Sequence, residues 1–464
     1  MNRAATESPA RLFHAAAACD ARGVFFSPAA VLVRNGRVVH SGSVARVERF
    51  RDRHDLATVA DDRWRSYLLL PSLVNAHAHL DLTDTPSAPY RGDFTAWLEH
   101  VIAHRDDVAS NVQTAVRRGL ELSRAAGVGV IGDVAGSRTS IEARMAAEAH
   151  MADRADAFEI AAEARSATEA ESRNPPAAGE RGVSFLECFG IGAGGVERLL
   201  HYAAGLRDVE RAAGVRLGLS PHAPYSVSAE AYDAAAAFAR QHALALQTHL
   251  AETPEEVEFT RDATGPFADL LRRLGRWDDA IAGSGRHPID CVAPRLCRPA
   301  SVVHCNVAEQ RHFDVLSRSG LAVVYCPRAS AFFGHREHSY REMLDAGVPV
   351  ALGTDSILCH DTRDASALSI LEEMRLLHRR DGTDPKRLLA MATLHGRFAL
   401  GIDPREGTLA ERAPARFTAI PLDARSDDPL AAALRSNATP ELIEAASFAH
   451  DTSRAARSNR RGTQ

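Results

Sequence analysis

Short apolar runs alternate with amphipathic helical stretches between residues 71 and about 400. This alternation predicts an α/β chain, a closed parallel (β/α)8 TIM-type barrel, carrying a small composite β-sandwich built from both chain ends. Two further observations support it. The segments before residue 71 and after residue 401 are β-rich and poor in helical pattern. The rival, an open doubly wound sheet, would show a glycine-rich phosphate turn after an early strand, and the sequence has none. The expected division is 1–70 plus 402–464 for the sandwich and 71–401 for the barrel.

In chain order, Val24–Phe26, Ala30–Val33 and Arg37–His40 read as strands, with Asn35-Gly36 as the hairpin turn between the last two. A short helix is expected around Val44–Asp52. The eight barrel strands are assigned to the runs Leu68–Ala76, Val128–Val134, Ser184–Gly190, Arg216–Ser220, Leu244–Leu250, Ala300–His304, Leu321–Cys326 and Val348–Gly353. Helical patterns lie between them, among them Ala231–Gln241 and Pro254–Leu274. Residues 163–182 and 283–299, rich in Pro, Gly and polar groups, read as loop insertions. After Gly407-Thr408-Leu409, the run Arg416–Ile420 returns to the small sheet, and residues 450–464 read as a solvated arginine-containing tail.

Composition narrows the function classes. The chain has 464 residues, a net charge of −5 and a 45% hydrophobic content. That balance gives no bias toward nucleic acid. No stretch reaches the roughly 18 apolar residues of a membrane helix. The Ala15–Ala18 patch, followed at once by Cys19, Asp20 and Arg22, is too short and too charged for a signal peptide. Seven irregularly spaced cysteines contain no Cys-x-x-Cys pair, which argues for a reducing, cytoplasmic compartment. The expected partner is a small-molecule substrate, with neither nucleic acid nor membrane; a homodimer is an open alternative to a monomer.

The chemistry concentrates at strand ends, where a barrel places its active residues. The first run ends in His77 and His79, which share a face because side chains on a strand alternate. The fifth ends in Gln247-Thr248-His249-Leu250-Ala251-Glu252, the sixth in His304-Cys305-Asn306, the eighth in Gly353-Thr354-Asp355. Converging imidazoles and a carboxylate suit a transition metal, Zn2+ or Fe2+, better than Mg2+.

These segments, with Asn75-Ala76-His77-Ala78-His79 and Ser220-Pro221-His222-Ala223-Pro224-Tyr225-Ser226, resemble the amidohydrolase superfamily and its mononuclear deaminase branch. That branch includes the S-adenosylhomocysteine, methylthioadenosine and aminofutalosine deaminases, and the likeness covers residues 23–422. The resemblance implies that His77, His79, His249 and Asp355 ligate one divalent metal, most simply zinc, with iron as the alternative. It implies further that Glu252 shuttles protons, His304 hydrogen-bonds the reacting water beside Asp355, and His222 contacts substrate. Many members bridge two metals with a carboxylated lysine upstream of the second histidine group. The single lysine here, Lys386, follows Asp355, which closes that route. Glu187 could bridge a second ion; a core or substrate-facing glutamate is the preferred reading. The loop Ile357–Asp361 after Asp355-Ser356 departs from the family's common Ser-Asn.

Other candidates carry two readings each. Arg328, leaving the seventh strand, is either a solvated loop residue or the partner of a substrate carboxylate. Trp97 and Phe94 fit an apolar wall for a ring, or core packing. His335 and His338 read as loop surface, and Cys305 as core. The expected activity is therefore a metal-dependent aminohydrolase that replaces a ring amine with oxygen. Its first-choice substrate is 6-amino-6-deoxyfutalosine, whose benzoate Arg328 would read. A triazine, guanine or cyclic-amide hydrolase, and a barrel that only binds, are the competing expectations.

Overall fold

The computed structural model of the chain describes residues 10–105, 108–163, 179–212, 214–423 and 426–444. Eight parallel strands form one sheet in strict sequence order: Leu73–Ala78, Val128–Ala135, Gly182–Cys188, Val215–Pro221, Ala245–Leu250, Ala300–His304, Ala322–Tyr325 and Val350–Leu352. The sheet closes where Ala78 bridges Asp355 and where the Thr354 and Asp355 amides donate to the His77 carbonyl at 3.1 and 3.0 Å. This is the barrel that the alternating runs predict. Every residue of Leu73–Ala78, Gly182–Cys188 and Ala245–Leu250 is buried, as parallel strands covered on both faces must be.

The first apolar run divides between two sheets. Tyr67–Pro71 pairs antiparallel with Arg416–Pro421, and only from Leu73 does the chain enter the barrel. Periodicity cannot show this, because a continuous buried run looks the same on either side of the break. Pro71 marks it, having no N–H to donate. The Ser72 amide donates to the Arg416 carbonyl at 3.0 Å and the Leu73 amide to Thr418 Oγ1 at 3.0 Å. The C-terminal strand thereby sets the entry of the first barrel strand.

Two sheets from the chain ends share one core. Four strands run in the order Arg37–Ser43, Ala29–Arg34, Ala10–Ala15 and Thr58–Asp61. Five more run Glu441–Glu444, Arg416–Pro421, Tyr67–Pro71, Ala17–Cys19 and Phe25–Phe26. Phe13, Val31 and Val33 from the first sheet meet Leu69, Phe417 and Ile443 from the second. The hairpin at Asn35-Gly36 has φ of 51° and 68°, the doubly positive turn that Asn-Gly favours. The strands at 10–19 escape sequence reading because alanine is a weak strand former.

The expected helix around residue 44 spans Val44–Arg53. The pattern Pro254–Leu274 is two helices, Pro254–Asp262 and Pro266–Arg273. Ala263 and Gly265, at φ of 56° and 80°, turn the chain between them, and Pro266 starts the second. The proposed loop at 163–182 falls largely on residues outside the described ones; at its edges Glu163 ends a helix and Gly182 opens a strand. The stretch 283–299 contains the helix Pro288–Val292 and a 3-10 turn at Ala293–Arg295, so it is not loop throughout. No helix among the described residues is long and apolar enough to cross a membrane.

Candidate active site

The C-terminal mouth of the barrel opens into a cavity of about 510 Å3. On its floor the His77, His79 and His249 rings meet, with centroids 4.9, 5.0 and 5.5 Å apart. His77 Nε2 and His79 Nε2 lie 3.5 and 3.6 Å from Asp355 Oδ1. His77 is within its strand, whereas His79 is the first residue beyond it, after an irregularity between Asn75 and Ala78. Asp355 and His304 have φ of 59° and 72°. Such backbone strain persists only where surrounding contacts over-determine it. Next to Asp355, Asn75 supplies them, donating to Thr354 Oγ1 at 2.7 Å and accepting from the Thr354 amide at 3.1 Å.

The donor set fits a divalent ion. Buried His77 Nε2 has no hydrogen-bond partner among the described residues. Its Nδ1 lies 2.8 Å from Gln247 Oε1, and Gln247 Nε2 is committed to the Ala76 carbonyl at 3.1 Å and Ser301 Oγ at 3.0 Å. Gln247 therefore accepts from His77 Nδ1–H, which leaves the Nε2 lone pair for an ion. His249 Nδ1 is held in the same way by the His222 carbonyl at 3.0 Å. Burial keeps the His249 imidazole well below its usual pKa, reinforced by the neighbouring histidines, and acts in the same direction on His79. Neutral imidazole is the form a metal needs.

The two carboxyls beside this floor are pushed apart. Burial raises the Asp355 carboxyl, but the His77, His304 and His79 imidazoles gathered round it outweigh that and hold Asp355 well below the carboxylate range. Burial, Asp355 and Glu256 all push Glu252 well above it. Opposite shifts in adjacent carboxyls are what separate an acid from a base. Glu252 Oε1 lies 3.4 Å from His304 Nε2, and His304 is driven down to about 3, chiefly by burial.

Glu252 is fixed by a residue that the sequence reading passes over. Glu256 takes the Ala251 amide on one carboxylate oxygen at 2.7 Å and the Glu252 amide on the other at 2.9 Å. The signal for it was present, a carboxylate one helical turn beyond Glu252. Gln247 was equally findable, two residues before His249 on the same strand face. His338 is not loop surface: it is half-buried, stacks on Tyr325 and lies with Nε2 2.8 Å from the His304 carbonyl. His335 is half-buried too, and Cys305 is core, as expected.

Trp97, Phe94, His222 and Glu187 all line the cavity. Arg328 does not. Its Nε donates to fully buried Glu373 at 2.6 Å, and its terminal nitrogens donate to the carbonyls of Ser366, Ala367 and Ser369 at 2.8, 2.9 and 3.2 Å. A guanidinium so engaged cannot also clasp a ligand carboxylate bidentately, which corrects the sequence expectation. The cavity arginines are Arg105, Arg198 and Arg276. Arg105 reaches in from the end of the helix Phe94–His104 and bridges Asp81 and Glu187 at 2.9 and 3.1 Å. No sequence pattern marks this contact. The apolar rim comprises Ile102, Phe189, Tyr202 and Leu274, all exposed.

A separate grouping of His287, Glu309 and His312 lies away from the cavity. His312 Nδ1 accepts from the Glu309 amide at 2.9 Å. The proton of that ring is thus on Nε2, facing Asp290 at 3.6 Å, and no lone pair remains for an ion.

Known proteins show the same architecture. The family described as "Amidohydrolase family" matches residues 68–449. An aminodeoxyfutalosine deaminase from Deinococcus radiodurans is 29% identical over 351 residues, 72% of this chain and 73% of that protein. The crystal structure of Helicobacter pylori aminofutalosine deaminase in complex with methylthio-coformycin aligns with a TM-score of 0.73 at 19% identity, covering 95% of this chain and all of that one (100%). An atrazine chlorohydrolase from Arthrobacter aurescens, complexed with zinc, aligns with a TM-score of 0.68 at 19% identity over 92% of this chain and 91% of that one. The two structural matches speak to the fold.

Proposed function

Because the chain belongs to the amidohydrolase family and is a hydrolase acting on C–N bonds, we propose that it is a metal-dependent deaminase of adenosine-type nucleosides, replacing the ring amine with oxygen and releasing ammonia. The observation that carries this reading is the convergence of His77, His79, His249 and Asp355 on the cavity floor, beside a Glu252 carboxyl whose pKa burial and its neighbours push well up. These four residues would hold the ion, zinc by its fit to three imidazoles and a carboxylate, with iron(II) as rival. The ion would supply Lewis acidity and bring the pKa of a water down to about 7.

The chain's own groups divide the proton work. Glu252 carries a proton at its carboxyl and gives it to the ring nitrogen next to the amine. Asp355, an ionised carboxylate, receives the proton shed by the attacking water. As the carbonyl forms, Glu252 takes the second proton of that water and passes it to the departing amine, and the proton held on Asp355 then restores Glu252. Such general acid–base work contributes about 10²–10⁴-fold. Phe94, Trp97, Leu98 and Val101 form an apolar wall suited to a purine, and His222 lines the same cavity.

Within this class 6-amino-6-deoxyfutalosine remains our preferred substrate, supported by the deaminase from Deinococcus radiodurans. Arg276, exposed at the mouth, takes the place of Arg328 as the group that would meet the benzoate. The test is ammonia release from a panel of adenosine, 5'-deoxyadenosine, methylthioadenosine, S-adenosylhomocysteine and 6-amino-6-deoxyfutalosine, with atrazine and guanine as competitors. Turnover confined to the last two would replace the nucleoside reading with ring hydrolysis of another class.

A further inference from the structure

The side of the cavity opposite Asp355 is built around two facing acceptors. His222 Nδ1 lies 2.7 Å from Ser226 Oγ, and that hydroxyl donates to the Ala223 carbonyl at 3.0 Å. A hydroxyl has one proton to give. With it spent on Ala223, Ser226 can only accept from His222, so the imidazole proton sits on Nδ1. His222 Nε2 is left as a bare lone pair, 3.9 Å from Glu187 Oε1.

Glu187 is held to this task from behind. Its other oxygen, Oε2, accepts from Arg105 Nη1 at 3.1 Å. Arg105 Nη2 donates to Asp81 Oδ2 at 2.9 Å, an oxygen that also takes the Gly136 amide and Ser140 Oγ at 3.0 Å each. Asp81 and Glu187 are 8% and 2% exposed. The arrangement requires glycine at 136, since a Cβ there would lie 1.8 Å from Arg105 Nη2. Two carboxylates share one guanidinium. One Glu187 oxygen is thereby fixed, and the other has no donor among the described residues.

A pair of acceptors facing one gap recognises a pair of donors. The ring nitrogens of an adenine are acceptors and cannot satisfy it. The amine belongs beside the His77–His249–Asp355 floor, one ring away: the His222 and His249 centroids are 5.2 Å apart. The remaining adjacent donors of an adenine nucleoside are its sugar hydroxyls. We infer that Glu187 Oε1 and His222 Nε2 clasp the vicinal hydroxyls of the ribose, with Arg105, anchored on Asp81, as the positioning residue that aims Glu187. This inference rests on the nucleoside reading above, and it makes the enzyme selective for ribosides over deoxyribosides and over rings without a sugar.

The experiment compares kcat/KM for the best adenine riboside of the panel with that for its 2'-deoxy and 3'-deoxy counterparts, on metal-loaded wild type, Glu187→Gln and Arg105→Met. Wild type should prefer the riboside by about 10–100-fold, the scale of hydrogen bonds to a charged group. Glu187→Gln should lose about that factor on the riboside and less than about threefold on the deoxy analogue, so that the preference collapses. Arg105→Met should shrink the preference in the same direction, mainly through KM. The ratio is taken within one enzyme sample, so partial unfolding of a variant cancels. An unchanged riboside preference in Glu187→Gln overturns the clasp while leaving deamination standing. Absence of turnover of any adenine nucleoside by wild type overturns the nucleoside reading and the clasp together.

Discussion

The two walls of the cavity are made in different ways. The wall bearing His77, His249 and Asp355 is built from strand ends, each side chain a few bonds from a backbone that the barrel fixes. The wall bearing Glu187, His222 and Arg105 depends on one long side chain that crosses from a helix end to a strand. The first needs only the sheet to close; the second needs the sheet, a glycine at 136 and a shared guanidinium. The proposed chemistry falls on the rigid wall and the proposed recognition on the assembled one. A fold can therefore keep its reaction while its substrates change.

The largest expected effect falls on the strand-built wall. Glu252→Gln should lower kcat by about 10²–10⁴-fold with the metal content by elemental analysis unchanged. Loss of metal alongside activity would mean that Glu252 is a ligand, and the division between floor and shuttle would fail.

The two arginines sharpen the comparison further. Arg328→Met strands buried Glu373, and Arg105→Met strands Asp81 and Glu187; breaking a buried pair costs about 3–5 kcal/mol, readable by chemical unfolding. Per folded molecule, Arg328→Met should leave kcat/KM unchanged while Arg105→Met raises KM. A raised KM in Arg328→Met would return that residue to the substrate.

Glu256 links stability to pH. Burial pushes its carboxyl up to about 7 against the two backbone amides that favour the charged form. A raised folded-state pKa means stability that is fully present below the unfolded value and lost as pH rises from about 4.5 through about 7. Chemical unfolding across that window should show wild type losing roughly 3 kcal/mol relative to Glu256→Gln, at about 1.36 kcal/mol per pKa unit. Parallel curves for the two proteins would show that Glu256 stays ionised throughout.

The smallest effect concerns Gln247→Leu, which removes the acceptor that sets the His77 tautomer. It should weaken metal affinity by about 10–100-fold, measured by competition with a chelator, and lower the stability of the metal-free protein by about 1–3 kcal/mol as the buried Ala76 carbonyl and Ser301 lose their donor. An unaltered affinity would mean that His77 needs no such support.

The barrel and its metal-suited floor were legible because both follow from local pattern. Apolar runs at regular spacing give strands, and strand ends give the positions of His77, His79, His249 and Asp355. The two-helix break at Ala263–Pro266 and the division of the run at Pro71 were written in single residues that period counting averages away. Glu256 and Gln247 sat one turn and one strand period from residues already singled out. Arg328 and Arg105 could not be told apart in sequence, since each is an arginine following an apolar element.

What the sequence alone determined is the closed barrel, the order in which its metal-suited side chains reach the mouth and the absence of an upstream lysine to bridge a second ion. The tertiary structure alone decided which arginine faces the cavity, that His222 meets Ser226, and that burial and neighbouring carboxyls push Glu252 up while the histidines hold Asp355 down. The physical reason is range. Strand alternation is fixed within two residues, whereas side-chain direction, tautomer and pKa are set by partners brought together from distant parts of the chain, such as Glu373 on Arg328 and Asp81 on Arg105.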